Sequence, residues 1–221
     1  MRLKILALTC DITTPPSPPF PEDAPVEVDW RNRGGRSYVG PVGDQGATCG
    51  SCYIFATVNA VEASIAVFTR QLPAIPLSQQ QLVDCIEGGG CKEGGSPPEA
   101  FEYIRTFGLM HYNDYRYTGV VGKCKYNSKK VVARIRGCVH VKAKTLNDVK
   151  EAVAHYEPVA VAMNMNVEKM DEWHLSDKTK FYDDPDCLDT DFNHVMMKRG
   201  KADDADCGIR ANAFYAVPVQ D

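Results

Sequence analysis

The chain has 221 residues, 44% of them hydrophobic, enough to bury a core of its own as one domain or two closely packed ones. With 25 Lys and Arg against 29 Asp and Glu, the formal charge is -4 and no basic block stands out, which excludes a nucleic-acid partner. Nine cysteines in scattered positions point to an oxidising compartment with disulfides, and the odd number leaves at least one unpaired.

The amino end, MRLKILALTC, offers a basic start and a short apolar run, the outline of a minimal secretory signal. No stretch approaches the ~18 apolar residues of a membrane span. Residues 11 to 25, DITTPPSPPFPEDAP, hold six prolines without apolar periodicity and read as an extended linker or processing segment. Residues 1–25 are thus set apart from a folded domain over 26–221, and no internal repeat is found.

Residues 43 to 53 read GDQGATCGSCY. A CxxC such as Cys49-Gly50-Ser51-Cys52 supports a redox dithiol, half a zinc site, or two thiols with unrelated tasks. From Cys52 onward, Ile54, Val58, Val61, Ile65 and Phe68 fall on one helix face. Cys52 therefore stands at a helix amino end, where the partial positive charge of the N–H groups favours a thiolate. A second helix is predicted from Leu77-Ser78-Gln79, with Ser78 and Gln81 at capping-box spacing and Leu82 and Val83 on its apolar side. A third opens at Pro97-Pro98-Glu99, buries Phe101 and Ile104, and stops at Gly108.

Past about Lys130 the chain turns to short β-branched runs. VVARI at 131–135, CVHVKA at 138–143 and VAVAM at 159–163 read as strands, with a helix from Leu146 to His155 capped by Thr145 between the last two. Helices over 26–130 followed by strands over 131–221 predict an α+β protein with two lobes. No second CxxC or Cys/His pair completes a zinc site, and the alternating βαβ pattern of a dithiol oxidoreductase is missing. Asp183-Asp184-Pro185-Asp186 and Asp203-Asp204-Ala205-Asp206 lack EF-hand spacing and read as solvated acidic turns, so neither metal nor cofactor is expected.

Taken in order, several motifs resemble those of the papain-like cysteine peptidases. Gln45-Gly46, then Cys49-Gly50-Ser51-Cys52-Tyr53-Ile54-Phe55, resembles the signature around the family's nucleophile, with Tyr53 where Trp is usual. Glu62, the run Leu77 to Cys85, Gly90-Cys91 through Gly94-Gly95, Asn193-His194-Val195, and Cys207-Gly208-Ile209 with Tyr215 and Pro218-Val219 follow in the family's order. The resemblance covers the chain from about Val26 to Val219.

The resemblance implies a helical lobe and a β lobe facing each other across a cleft, with Cys52 as nucleophile on one wall and His194 as acid and base on the other. Gln45 is implied as an oxyanion donor. Gly94 and Gly95 are implied to pair with an extended substrate, and Ser96, Pro97, Ala162, Asn193, Val195 and Asn212 to shape the main specificity pocket, suited to an apolar or mixed side chain. The implied disulfides join Cys49 to Cys91, Cys85 to Cys124 and Cys187 to Cys207, leaving Cys10, Cys52 and Cys138 free. His111, His140, His155 and His174 fall outside any matching motif and read as surface or loop residues. The implied protein is a monomeric endopeptidase of a lysosome, a vacuole or the extracellular space, acting on peptides and open to protein inhibitors of such enzymes.

The resemblance breaks at three places. Only twelve residues, VMMKRGKADDAD, separate His194 from Cys207, where family members carry a longer stretch with the Asn that orients the histidine and a Ser-Trp-Gly after it. Asn212 is the one asparagine after His194, and it falls in the segment matching the carboxyl end, which argues against its substituting. One extra residue, Ala47 or Thr48, also separates Gln45 from Cys49. Ahead of the domain, only the proline-rich stretch stands where the family usually has a long inhibitory prosegment. A peptidase with impaired turnover, or a silent homologue that binds peptides or inhibitors, is the alternative expectation.

Overall fold

The computed structural model of the chain describes Cys10 and residues 28–87, 90–91, 94–175, 184–188, 190–198 and 207–219. The signal-like run, the proline-rich stretch with the boundary at residue 26, and the acidic run 203–206 lie outside the described residues.

The first helix, α1 (Cys52–Thr69), ends at Arg70 in a left-handed conformation. The face seen in the sequence is only part of what it buries, since Tyr53, Ala56, Ala60, Ala63 and Ala66 are buried as well. The reason is its place: α1 packs against α2 (Gln79–Cys85) and α3 (Pro97–Phe107), and on its other sides against the sheet of the second half. A helix surrounded by protein has apolar residues all round. That composition makes α1, against the expectation of no such run, long and apolar enough to cross a membrane, yet most of it is buried in the core.

Prolines at the first turn start α3, and Gly108 at φ 74° ends it, donating its N–H to the Ile104 carbonyl at 2.8 Å. The following β1 (Leu109–Met110) pairs antiparallel with β2 (Val131–Ala133), so the run 131–135 divides at Arg134. The main sheet comprises β3 (Ile135–His140), β4 (Val159–Met163), β5 (His194–Lys198) and β6 (Ala213–Pro218), antiparallel throughout in the order β3-β6-β4-β5. Of these, β3 starts three residues earlier and stops three earlier than the run CVHVKA, because Ile135 already pairs with Pro218. Between β3 and β4 lies α4 (Leu146–His155), whose Asp148 carboxylate accepts the Thr145 N–H at 2.8 Å as the cap requires. The helix α5 (Val167–Leu175) has no counterpart in the sequence reading.

One apolar cluster joins the three early helices to β3, β4 and β6 through Ile54, Phe101, Ile104 and Phe214. A second gathers Trp30, Val153, Val161 and Tyr215 around α4, and the fully buried Trp30 donates its Nε1–H to the Val153 carbonyl at 2.9 Å. The architecture is α+β, as the order of elements predicts, with α1 held between helices and sheet.

Four disulfides form: Cys49–Cys91, Cys85–Cys124, Cys187–Cys207 and Cys10–Cys138. The last corrects the expectation that Cys10 and Cys138 are free. Cys138 on β3 is buried and Cys10 packs against the same cluster, so residues 128 apart in sequence meet. Cys52 alone remains a free thiol.

Candidate active site

A cleft of about 530 Å³ opens between the two halves, and all eleven residues singled out as catalytic or substrate-binding line it. Cys52 enters as the first residue of α1, with Gln45 on the loop before it. Gly94, Gly95, Ser96 and Pro97 come from the approach to α3, Ala162 from β4, Asn193, His194 and Val195 from the start of β5, and Asn212 from the turn into β6. The extra residue between Gln45 and Cys49 therefore leaves Gln45 at the cleft. Gly50, Pro98, Phe192 and Phe214 also line it and were not singled out. Phe214 lies within an apolar strand run, where its residue type alone does not distinguish a cleft-lining aromatic from a core one.

The loops that frame Cys52 are tightly bound. Gly50 donates its N–H to the Cys91 carbonyl at 2.7 Å beside the Cys49–Cys91 disulfide. Gly95 lies against the Tyr53 ring, where a Cβ would come within 2.5 Å of a ring carbon, so the aromatic after Cys52 holds up the Gly94-Gly95 segment. On the facing wall, Asn193 makes a reciprocal pair with the Met165 backbone, accepting its N–H and donating to its carbonyl, both at 2.8 Å. That pair fixes the entry to β5 and with it the backbone of His194.

The electrostatics depart from the sequence expectation. Burial pushes the Cys52 thiol up, and the backbone N–H groups of Val195, Tyr53 and Cys52 itself offset this only in part. Burial also pushes the His194 imidazole down. Both shifts favour the neutral pair over thiolate and imidazolium, and among the described residues the His194 ring has no hydrogen-bond partner. Asn212 donates its side-chain amide to the Gly208 carbonyl at 3.4 Å, so it does not orient His194.

No group of three metal-ligating side chains occurs among the described residues. Asp184 and Asp186, from the first acidic turn, are bound by the Lys169 ammonium, at 2.9 Å for Asp186.

A family model described as papain family cysteine protease matches residues 24–216. The chain is 38% identical over 185 residues to pro-cathepsin H of Mus musculus, covering 80% of this chain and 51% of that protein. It is 41% identical over 153 residues to pro-cathepsin H of Bos taurus, covering 66% of this chain and 43% of that one. The chain therefore spans roughly half the length of these relatives. Among solved structures, the digestive procathepsin L 3 of Tenebrio molitor larval midgut matches with a TM-score of 0.73 at 25% identity, over 98% of this chain and 73% of that one.

Proposed function

Because the chain belongs to the papain family of cysteine proteases, we propose that it hydrolyses peptide bonds, with Cys52 as nucleophile, His194 as acid and base, and Gln45 as oxyanion donor. The observation that carries this reading is that the chain's single free thiol sits at the start of α1, in a cleft shared with His194 and Gln45.

The Cys52 sulfur, its proton passed to His194, attacks the scissile carbonyl carbon, and the C=O π pair moves onto oxygen. The Gln45 side-chain amide and the Cys52 N–H donate to that oxyanion. The imidazolium then protonates the leaving amine as the C–N bond breaks, and the neutral ring deprotonates the water that frees the acyl group. Gly94 and Gly95 offer main-chain partners to an extended peptide, while Pro97, Ala162, Val195 and Asn212 shape an apolar pocket with a polar edge, flanked by Ser96 and Asn193. Hydrogen bonds between catalytic groups commonly tighten only once substrate is bound, so the open pair is compatible with turnover. The proposed setting is a lysosome, vacuole or extracellular space, with the chain acting as a monomer on peptide or protein substrates and accepting protein inhibitors of cysteine peptidases. Cleavage of an unstructured peptide by the chain, abolished in Cys52→Ala, is the expected result; no cleavage by the unaltered chain overturns it.

The second reading, a silent homologue that holds peptides or inhibitors in the same cleft, is favoured by the His194 ring, which has no hydrogen-bond partner among the described residues, and by the short run of sequence after it. It predicts peptide binding that survives Cys52→Ala, with no product formed.

A further inference from the structure

The loop carrying Gln45 has no regular structure of its own, so something must fix it for Gln45 to act as an oxyanion donor. Tyr117, from the irregular segment before Cys124, reaches it. Its hydroxyl donates to the Gln45 carbonyl at 2.8 Å and lies 2.8 Å from the Ser51 hydroxyl. A phenol has one proton, and it is committed to Gln45, so Ser51 is the donor in the second bond. The result is a directed chain: Ser51 O–H to Tyr117 oxygen, Tyr117 O–H to Gln45 carbonyl.

Both ends of this chain adjoin the proposed chemistry. Ser51 is fully buried and precedes Cys52 at the N-cap of α1, where its hydroxyl makes no capping bond. Gln45 lines the cleft. The Tyr117 ring is itself held edge-on by Phe55 of α1, with centroids 4.8 Å apart, and Phe55 also lies under Gly43, where a Cβ would come within 2.6 Å of the ring. The Gly46 N–H, donating to Asp44 at 2.8 Å, closes the loop on its far side. The loop is thus referred to the same helix that carries Cys52, through one aromatic contact and one hydrogen-bond chain.

We propose that Tyr117 is a positioning residue for the oxyanion donor, registering Gln45 against Cys52 through the Ser51 hydroxyl; this rests on the peptidase reading above. It also explains how Gln45 stays at the cleft despite the extra residue before Cys49. Burial pushes the Tyr117 phenol up, and the Ser51 bond only partly offsets this, so the proton is in place throughout the acid and neutral range.

The test is Tyr117→Phe, which keeps the ring and removes the hydroxyl, combined with Gln45→Ala in a double-mutant cycle. Tyr117→Phe lowers kcat about tenfold with KM and the shape of the pH profile unchanged, and weakens a peptide aldehyde, whose adduct carries the oxyanion, by the same factor. Alkylation of Cys52 by iodoacetamide, which forms no oxyanion, keeps its rate. In the Gln45→Ala background Tyr117→Phe has no further effect. Amide exchange over residues 43–48 needs no substrate and quickens in Tyr117→Phe, with α1 unchanged. Additive losses, or unchanged exchange in the loop, overturn the positioning role. A chain without turnover overturns the peptidase reading instead, and the exchange measurement still decides on Tyr117.

Discussion

Glu157 is fully buried, with one carboxyl oxygen accepting the Ala216 N–H at 3.0 Å and the other without a partner. It sits where α1 meets β6, beside Ser64 and close to the phenol of Tyr215. Burial pushes its pKa well above the ordinary 4.5, and burial likewise raises that of Glu62 to about 7. A carboxyl whose pKa rises on folding stabilises the fold fully below its unfolded value, and that contribution is lost as pH rises toward the folded one. The chain is therefore expected to lose thermal stability from about pH 4.5 to pH 7. Glu157→Gln, neutral at every pH, flattens that decline: its Tm at pH 7 exceeds that of the unaltered chain by on the order of 3 °C, with little difference at pH 4.5. Parallel Tm curves for the two proteins contradict the assignment. Nothing in the sequence marks Glu157, because its hydrogen-bond partner, Ala216, lies 59 residues away.

At the scale of elements, α2 is the helix that the sequence predicts, but more than the predicted cap holds it. Ser78 accepts the Gln81 N–H at 3.0 Å, as the capping-box spacing predicts, but Gln81 does not return the bond. Its side chain is fully buried instead, donating to the Gly108 carbonyl and the Tyr103 hydroxyl and accepting the Met110 N–H at 2.8 Å. Gln80 and Asp84 are buried alongside, with Asp84 accepting from Gln80, from the Gly122 N–H and from the Tyr115 hydroxyl. A glutamine at a helix start reads as surface, and only the tertiary arrangement shows that this helix is a polar staple between α3 and the loop to Cys124. Gln81→Ala strands the Gly108 carbonyl and the Met110 N–H, and is expected to destabilise the chain by about 2 to 3 kcal/mol, read as a lower urea midpoint at constant slope. A loss below about 0.5 kcal/mol contradicts a buried satisfied role. By contrast α1, α3 and β4 were legible nearly to their ends, because periodicity, first-turn prolines and a bounded apolar run act locally.

For the whole molecule, the order of helices and strands made an α+β protein with two lobes legible, and the resemblance added the cleft and the residues that line it. The long-range pairing of Cys10 with Cys138 was not legible, since spacing carries no information on which cysteines meet. Thiol titration of the unfolded, unreduced chain is expected to give one thiol, and in Cys10→Ser two, as Cys138 is released. Three thiols in the unaltered chain contradict the fourth disulfide. Among the described residues β5 lies at the edge of the main sheet, and its first residue, His194, lines the cleft without a hydrogen-bond partner for its ring. Whether this arrangement still drives acyl transfer is the central question, and it turns on one atom, the Cys52 sulfur. Intact-mass analysis of the chain mixed with a slowly deacylating peptide ester answers it directly. The account predicts one acyl group per chain, mapped to Cys52 and absent in Cys52→Ala; an unmodified chain, or an adduct on any other residue, contradicts it.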